Sequence, residues 1–440
     1  MKRGLRSAAA LFVAGFALAC APAKPVPDGV TAWALTGGHW YDGSGFVLRD
    51  MYIVGSELVA RRPERIDSIV DLSGGWVVPP FGDAHTHNLD GAFRFEEMRA
   101  AYTAEGTFYL QVLTNTTRGA AAVRDSFAMP GRLDIRYANA GLTSTLGHPF
   151  LAYEPRALGI FTAEVQAARS AELCRSRIRL GDAYWFIDDR AALDSIWPQW
   201  LATEPGVAKI FLLNADDGGS GASCENMGHH GLDPELVPAI VERAHDAGLR
   251  VWAHVESARD FELAVLAGAD GIAHLPGYQL DPGEADEPFL IEAAAAALAG
   301  ERGVYVTPTA SLAAAVHEDD AASARILDLH RRNIALLRAS GVRFVVGSDF
   351  YGRTARDEVE TLRAMGVWTD AELLRMWAET TPTAIFPDRR IGRLRDGFEA
   401  SFLVLECDPL NDWACTAQIR AIVKDGLRIA WRGTTSGRTR

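Results

Sequence analysis

Val77-Val78-Pro79-Pro80-Phe81-Gly82-Asp83-Ala84-His85-Thr86-His87 is the stretch that decides the fold. A short apolar run ends in an aspartate and two histidines one residue apart. In a strand, residues i and i+2 point to the same face, so His85 and His87 can converge on one ion. Four more positions repeat the pattern downstream. Lys209 lies inside Val207-Ala208-Lys209-Ile210-Phe211-Leu212, and His254 closes Val251-Trp252-Ala253-His254. His274 closes Gly271-Ile272-Ala273-His274, and Asp349 follows Phe344-Val345-Val346-Gly347-Ser348. Imidazole and carboxylate are zinc-type ligands. The chain therefore reads as a metallohydrolase whose ligands sit at strand ends.

Eight candidate strands fall at residues 77–85, 107–114, 135–140, 207–212, 250–254, 271–274, 304–307 and 343–347. Helix-like segments separate them, the signature of βα units and a parallel sheet. Asp233-Pro234 reads as a helix start, and Thr369-Asp370-Ala371-Glu372 as a capping box. The expected class is α/β, a (β/α)8 TIM barrel over residues 80–388 with active groups at the C-terminal strand ends. Residues 30–79 and 389–435 consist of short β-runs broken by Gly and Asp-Gly turns. They are expected to form one small β-sandwich domain from both chain ends.

The 440 residues suit a barrel plus a smaller domain, and 48% hydrophobic content supports a large core. The net charge of −13 argues against a nucleic-acid partner, because phosphate binding needs basic patches. Residues 1–19 read as a signal peptide, with Lys2, Arg3 and Arg6 before an apolar run too short to span a bilayer. Ala17-Leu18-Ala19-Cys20 resembles a bacterial lipoprotein signal, with Cys20 the lipidated residue. Residues 20–29 are a Pro-rich tether. This predicts an exported protein on the periplasmic side, sorted to the outer membrane and touching it only through the lipid. The alternative is an ordinary signal peptide near a cysteine. Four cysteines remain. Cys407 and Cys415 are close enough to clip a loop, while Cys174 and Cys224 pair only if two barrel loops meet; free thiols are the alternative.

These residues together resemble the amidohydrolase superfamily, in its imidazolonepropionase-like and Xaa-Pro dipeptidase-like branch. The resemblance rests on the Asp-Ala-His-Thr-His run, the strand-4 Lys, the two later His and the strand-8 Asp. His39-Trp40-Tyr41-Asp42-Gly43 and Gly392-Arg393-Leu394-Arg395-Asp396-Gly397 flank them. It implies two divalent metal ions, zinc before manganese, cobalt or iron, and a CO2-derived carbamate on Lys209. His85, His87, Asp349 and one carbamate oxygen would hold one ion; His254, His274 and the other oxygen would hold the second. The implied chemistry is hydrolysis of an amide, cyclic amide or peptide-like C–N bond in a small-molecule or peptide-like substrate. Hydroxide bridging the ions attacks, and Asp349 carries the proton. Independently of the resemblance, the apolar neighbours of Lys209 make an unpaired ammonium there costly to bury; its alternative is a rim lysine paired with a carboxylate. A carboxylesterase or lactonase on the same site is the sister reading. A non-catalytic, ligand-binding surface lipoprotein is the reading from another class.

Other residues have plainer alternatives. Asp83 is placed to orient a ligand histidine. His148, after strand 3, is placed to hydrogen-bond a substrate carbonyl or carboxylate. Tyr278 lies four residues past His274 and can reach the pocket mouth. His229 and His230 lie in the Gly-rich loop after strand 4, as substrate contacts or as solvated loop residues. His245 reads as a packing or surface position, and His317 and His330 as surface positions. Leu275-Pro276-Gly277-Tyr278 and the strand-2 run depart from the family's usual pattern, which concerns substrate more than metal, and Ala400-Ser401 departs from it in the β domain.

Overall fold

The structure is a computed structural model that describes residues 23–215, 222–280, 283–315 and 320–432. Cys20 and the signal segment lie outside the described residues, as does His317. No helix among the described residues is long and apolar enough to cross a membrane.

The barrel strands are shorter than the sequence runs, because pairing ends where the chain turns outward to place a ligand. Phe81–Thr86 pairs in parallel with Thr107–Val112, which pairs with Asp134–Tyr137. A second parallel sheet runs through Gly141–Thr143, Ala208–Phe211, Val251–His254, Gly271–Ala273, Tyr305–Thr307 and Arg343–Phe344. The third barrel position is thus split. Asn139 takes a left-handed φ of 58° at the break, and its amide donates to the Asn115 side chain at 3.0 Å. Asparagine tolerates that conformation better than other side chains, so one residue turns the strand between its two partners. The barrel closes where the Ala84 amide donates to the Val346 carbonyl and the Asp349 amide to the His85 carbonyl, both at 2.7 Å. One short strand, Tyr184–Phe186, pairs with Gly141–Thr143 and was not expected from the sequence.

Helices pack outside these strands. The segment after Asp233 begins its helix only at Val237, while the Asp233 carboxylate holds the turn before it by accepting the Glu235 amide. The Thr369–Glu372 capping box forms as read and opens the helix Asp370–Arg375. His330 differs from its expected surface position. It is fully buried on the helix Asp320–Ala339, and neither ring nitrogen has a partner among the described residues. Residues Ile326, Leu329, Asn333, Ile334 and Leu337 share that buried face, so it is wider than the Ala-rich sequence suggested.

Both chain ends meet in one eight-stranded sheet. Its path runs Leu427–Trp431, Ile419–Lys424, Phe402–Leu405, Trp76–Val78, Ala32–Tyr41, Phe46–Val54 and Glu57–Val59, with Ser68–Asp71 paired to Ala32–Tyr41. These pairings form one continuous mixed sheet and do not by themselves define two packed layers. Pro79-Pro80 separate Trp76–Val78 from Phe81–Thr86, because proline cannot donate to a central ladder. Beneath the barrel, the fully buried Lys424 ammonium sits 3.0 Å from Asp134 and 2.9 Å from Glu399, joining the terminal sheet to the barrel. Disulfides join Cys407 to Cys415 and Cys174 to Cys224, so the two barrel loops do meet.

Candidate metal centre

All six expected ligand residues line one cavity of about 210 Å³ at the C-terminal ends of the barrel strands. Strand alternation delivers His85 and His87 there, and Asp349 arrives opposite them across the closure. Asp349 Oδ1 lies 3.2 Å from His85 Nε2 and 2.9 Å from His87 Nε2, while its Oδ2 lies 3.2 Å from His274 Nδ1. Ligand atoms of His85, His274 and Asp349 all fall within 4.8 Å of one another. The His254 ring stands 4.7 Å from the His274 ring, centroid to centroid.

The backbone is strained to achieve this. His274 and Asp349 adopt φ of 75° and 47°, in the left-handed region that β-branched and bulky residues avoid. Thr114 and Thr309 do so too, at φ 92° and 49°, and both touch a ligand: the Thr114 carbonyl faces His87 Nδ1 at 3.1 Å, and the Thr309 hydroxyl faces His274 Nδ1 at 2.9 Å. Strain of order 1–3 kcal/mol per residue persists where surrounding contacts over-determine it, and it clusters at functional sites.

Asp83 does not touch a ligand ring. Its carboxylate accepts the Ser348 hydroxyl at 2.8 Å, the Tyr102 hydroxyl at 3.1 Å, and the amides of Ser348 and His85 at 3.1 and 3.3 Å. It therefore locks the first strand to the last, immediately beside His85 and Asp349. Burial pushes its carboxyl up to about 7 against those hydrogen bonds.

Lys209 is buried, and its ammonium nitrogen has no hydrogen-bond partner. Burial pushes it down to about 7, although Asp349 pulls the other way. Burial likewise holds His85, His254 and His274 well below their ordinary range, with Lys209 and the neighbouring imidazoles adding to the effect. His87 is raised despite its burial, because it is hydrogen-bonded to Asp349. Three neutral imidazoles, those of His85, His254 and His274, stand with a carboxylate and an unpartnered buried amine, and this donor set fits divalent ions.

His148 and Tyr278 also line the cavity. His148 stacks on His254, and burial pushes its imidazole down to about 3. Tyr278 stacks on His274 with centroids 4.3 Å apart, and its hydroxyl donates to Glu256 at 3.4 Å. His229 and His230 are not brought into the lining. His229 is exposed. His230 is buried with its two ring nitrogens on the backbone carbonyls of Asn226 and Thr145, at 3.0 and 2.9 Å. It braces the loop that carries His148, whose amide donates to the His230 carbonyl at 2.8 Å. Sequence reasoning missed Tyr153, Phe211 and Tyr351 in the wall, and Glu256 behind it. Tyr351 had a signal, since it stands two residues past Asp349.

The fold and this site define a barrel hydrolase class, and the sequence agrees. Residues 76–428 match the Amidohydrolase family, and the chain belongs to that family. It is 27% identical over 279 residues to an imidazolonepropionase of Chromobacterium violaceum, covering 58% of this chain and 61% of that one. It is 25% identical over 238 residues to an ochratoxinase of Aspergillus niger, covering 51% of this chain and 45% of that one. The matches thus span about half to three-fifths of these curated relatives. Among solved structures, the A. niger ochratoxinase superposes with a TM-score of 0.69 at 17% identity, over 92% of this chain and 97% of that one. A Xaa-Pro dipeptidase with bound methionine gives a TM-score of 0.70 at 16% identity, over 90% and 99%. These likenesses establish a TIM-barrel-like α/β fold.

Proposed function

We propose that the protein is a metal-dependent hydrolase of an amide, cyclic amide or peptide-like C–N bond, working with two divalent ions. The observation that carries this is the buried, unpartnered Lys209 amine inside a ring of four histidines and Asp349. An amine that is substantially neutral near pH 7 is nucleophilic toward CO2; carbamate formation would release one proton and turn Lys209 into an anionic group that would help hold the ions. His85, His87 and Asp349 would hold one ion, and His254 and His274 the other; zinc suits this donor set. Bound there, such ions supply Lewis acidity and lower the pKa of water.

The chain's own groups do the rest. Asp349 stands between both histidine pairs, placed to take a proton from water and return it to the leaving nitrogen. His148, neutral and facing the ligands from the strand-3 loop, donates a hydrogen bond to the substrate carbonyl oxygen as charge develops there. Tyr278, stacked on His274, forms the wall on which the reacting end of the substrate rests. Tyr153, Phe211 and Tyr351 exclude water from the remainder. The names of the relatives, imidazolonepropionase, ochratoxinase and Xaa-Pro dipeptidase, support C–N chemistry. Export with an anchor at Cys20 belongs to the same proposal.

Elemental analysis of protein purified with zinc tests it. Two ions per chain are expected, falling to one or none in Lys209→Ala together with loss of hydrolysis across dipeptides, N-acyl amino acids and cyclic amides. Metal-free wild type, or unchanged turnover in the variant, sinks the proposal.

A further inference from the structure

A second cavity, of about 460 Å³, opens where the terminal sheet meets the barrel. Pro79 lines it, six residues before His85 in sequence, so it lies at the opposite end of the first barrel strand from the metal centre, roughly 20 Å away at 3.3 Å per residue. Its walls come from the two glycine-bearing motifs that flank the barrel in sequence, Tyr41-Asp42-Gly43 and Gly392-Arg393-Leu394-Arg395, together with Arg49, Arg375 and Glu379.

Four guanidinium groups stand here against two carboxylates, in a chain whose net charge is −13. Both carboxylates already have partners, one of them a guanidinium of this same group. Glu379 pairs with Arg393, and Asp42 accepts the amides of Ser44 and Gly45 at 2.9 Å. Arg49 and Arg375 donate to backbone carbonyls, of Leu394 at 2.8 Å and of Gly43 at 2.7 Å, and Arg395 lies over the Phe398 ring. None of these three makes an ion pair among the described residues. Arg49 Nε is buried with no hydrogen-bond partner. The Tyr41 hydroxyl, on a side chain only 3% exposed, lies beside Arg375 without a hydrogen bond of good geometry. The buried Arg49 Nε and Tyr41 hydroxyl are costly to leave unpaired unless an acceptor in the cavity reaches them, and the exposed Arg375 guanidinium adds positive charge at its mouth.

We propose that this cavity binds a small oxyanion, held by the forks of Arg49 and Arg375 with the Tyr41 hydroxyl. Guanidinium groups recognise planar or tetrahedral oxyanions through paired N–H donors. The bound anion bridges the first hairpin of the terminal sheet to the last barrel helix, so it stabilises their junction by linkage.

Inorganic phosphate is the probe. Metal-loaded protein is titrated by calorimetry and thermal melting at constant ionic strength. Saturable 1:1 binding with a rise in Tm is expected, weakened at least tenfold in Arg49→Gln/Arg375→Gln while metal content stays unchanged. No saturable binding, or binding undiminished in the variant, overturns the proposal; the latter places phosphate at the metals. If the variant does not fold, crystals of the wild type soaked in tungstate decide. Anomalous density between Arg49 and Arg375 supports the site, and density only at the barrel mouth overturns it.

Discussion

The imidazole of His148 lies flat against that of His254, with centroids 4.5 Å apart and planes 19° from parallel. Two cationic rings could not stack so closely in a dry pocket, and burial keeps both neutral. His254 faces the ligand cluster, whereas His148 comes from a loop tied to the His230 carbonyl. On the proposed function, the pair would divide labour between holding metal and contacting substrate.

Replacing His148 by Ala should therefore lower kcat by about 10²- to 10³-fold, the range for loss of one oxyanion donor, with metal content intact. Elemental analysis alongside steady-state kinetics checks this. Loss of metal in the variant would show His148 to be a ligand.

His330 makes a prediction about acid stability. Burial pushes its imidazole down to about 3 from an ordinary 6.5. The unfolded chain binds a proton here more readily than the folded one. Stability is thus unaffected above about pH 6.5 and falls as pH drops from there toward 3, by up to about 1.4 kcal/mol per pH unit. His330→Leu should flatten the fall in Tm between pH 7.5 and 4.5 relative to wild type. Parallel curves for the two proteins would contradict the burial argument.

Lys424 is fully buried among Asp134, Glu399 and Asp425. Substituting Met leaves three carboxylates without their shared cation, which should cost about 3–5 kcal/mol. Urea denaturation reads the loss. The double variant Lys424→Met/Glu399→Gln should recover part of it, whereas a loss below ~1 kcal/mol in the single variant would mean that water already screens the cluster.

Cys20→Ser should move the protein from the membrane fraction to the soluble fraction of cells that process lipoproteins. A wild-type protein found only in the soluble fraction would remove the anchor and leave an ordinary secretory signal.

Much of the barrel was legible because its ligands punctuate its strands. His85, His254 and His274 each stand at the end of an apolar run, and pairing stops within a residue or so of each. The split third position was not legible, since its bend depends on Asn115 reaching Asn139 from the loop after the second strand. His230 was ambiguous for a similar reason. A histidine in a Gly-rich loop looks the same whether its ring meets substrate or, as here, two backbone carbonyls. The wall aromatic Phe211 sat in the apolar run around Lys209, which read simply as strand. Periodicity reports burial, and it does not distinguish burial in packed protein from burial against a cavity.

Trp76–Val78 bears on how the molecule is made. Its three residues pair on one side with Ala32–Tyr41 and on the other with Phe402–Leu405. At 5–20 residues per second, the second neighbour leaves the ribosome on the order of half a minute after the first. Until then a short hydrophobic edge stays open. Truncation anywhere in the barrel would leave that edge open for good, so fragments of this chain should aggregate, and any holding factor that meets the nascent protein should contact the open edge of Trp76–Val78.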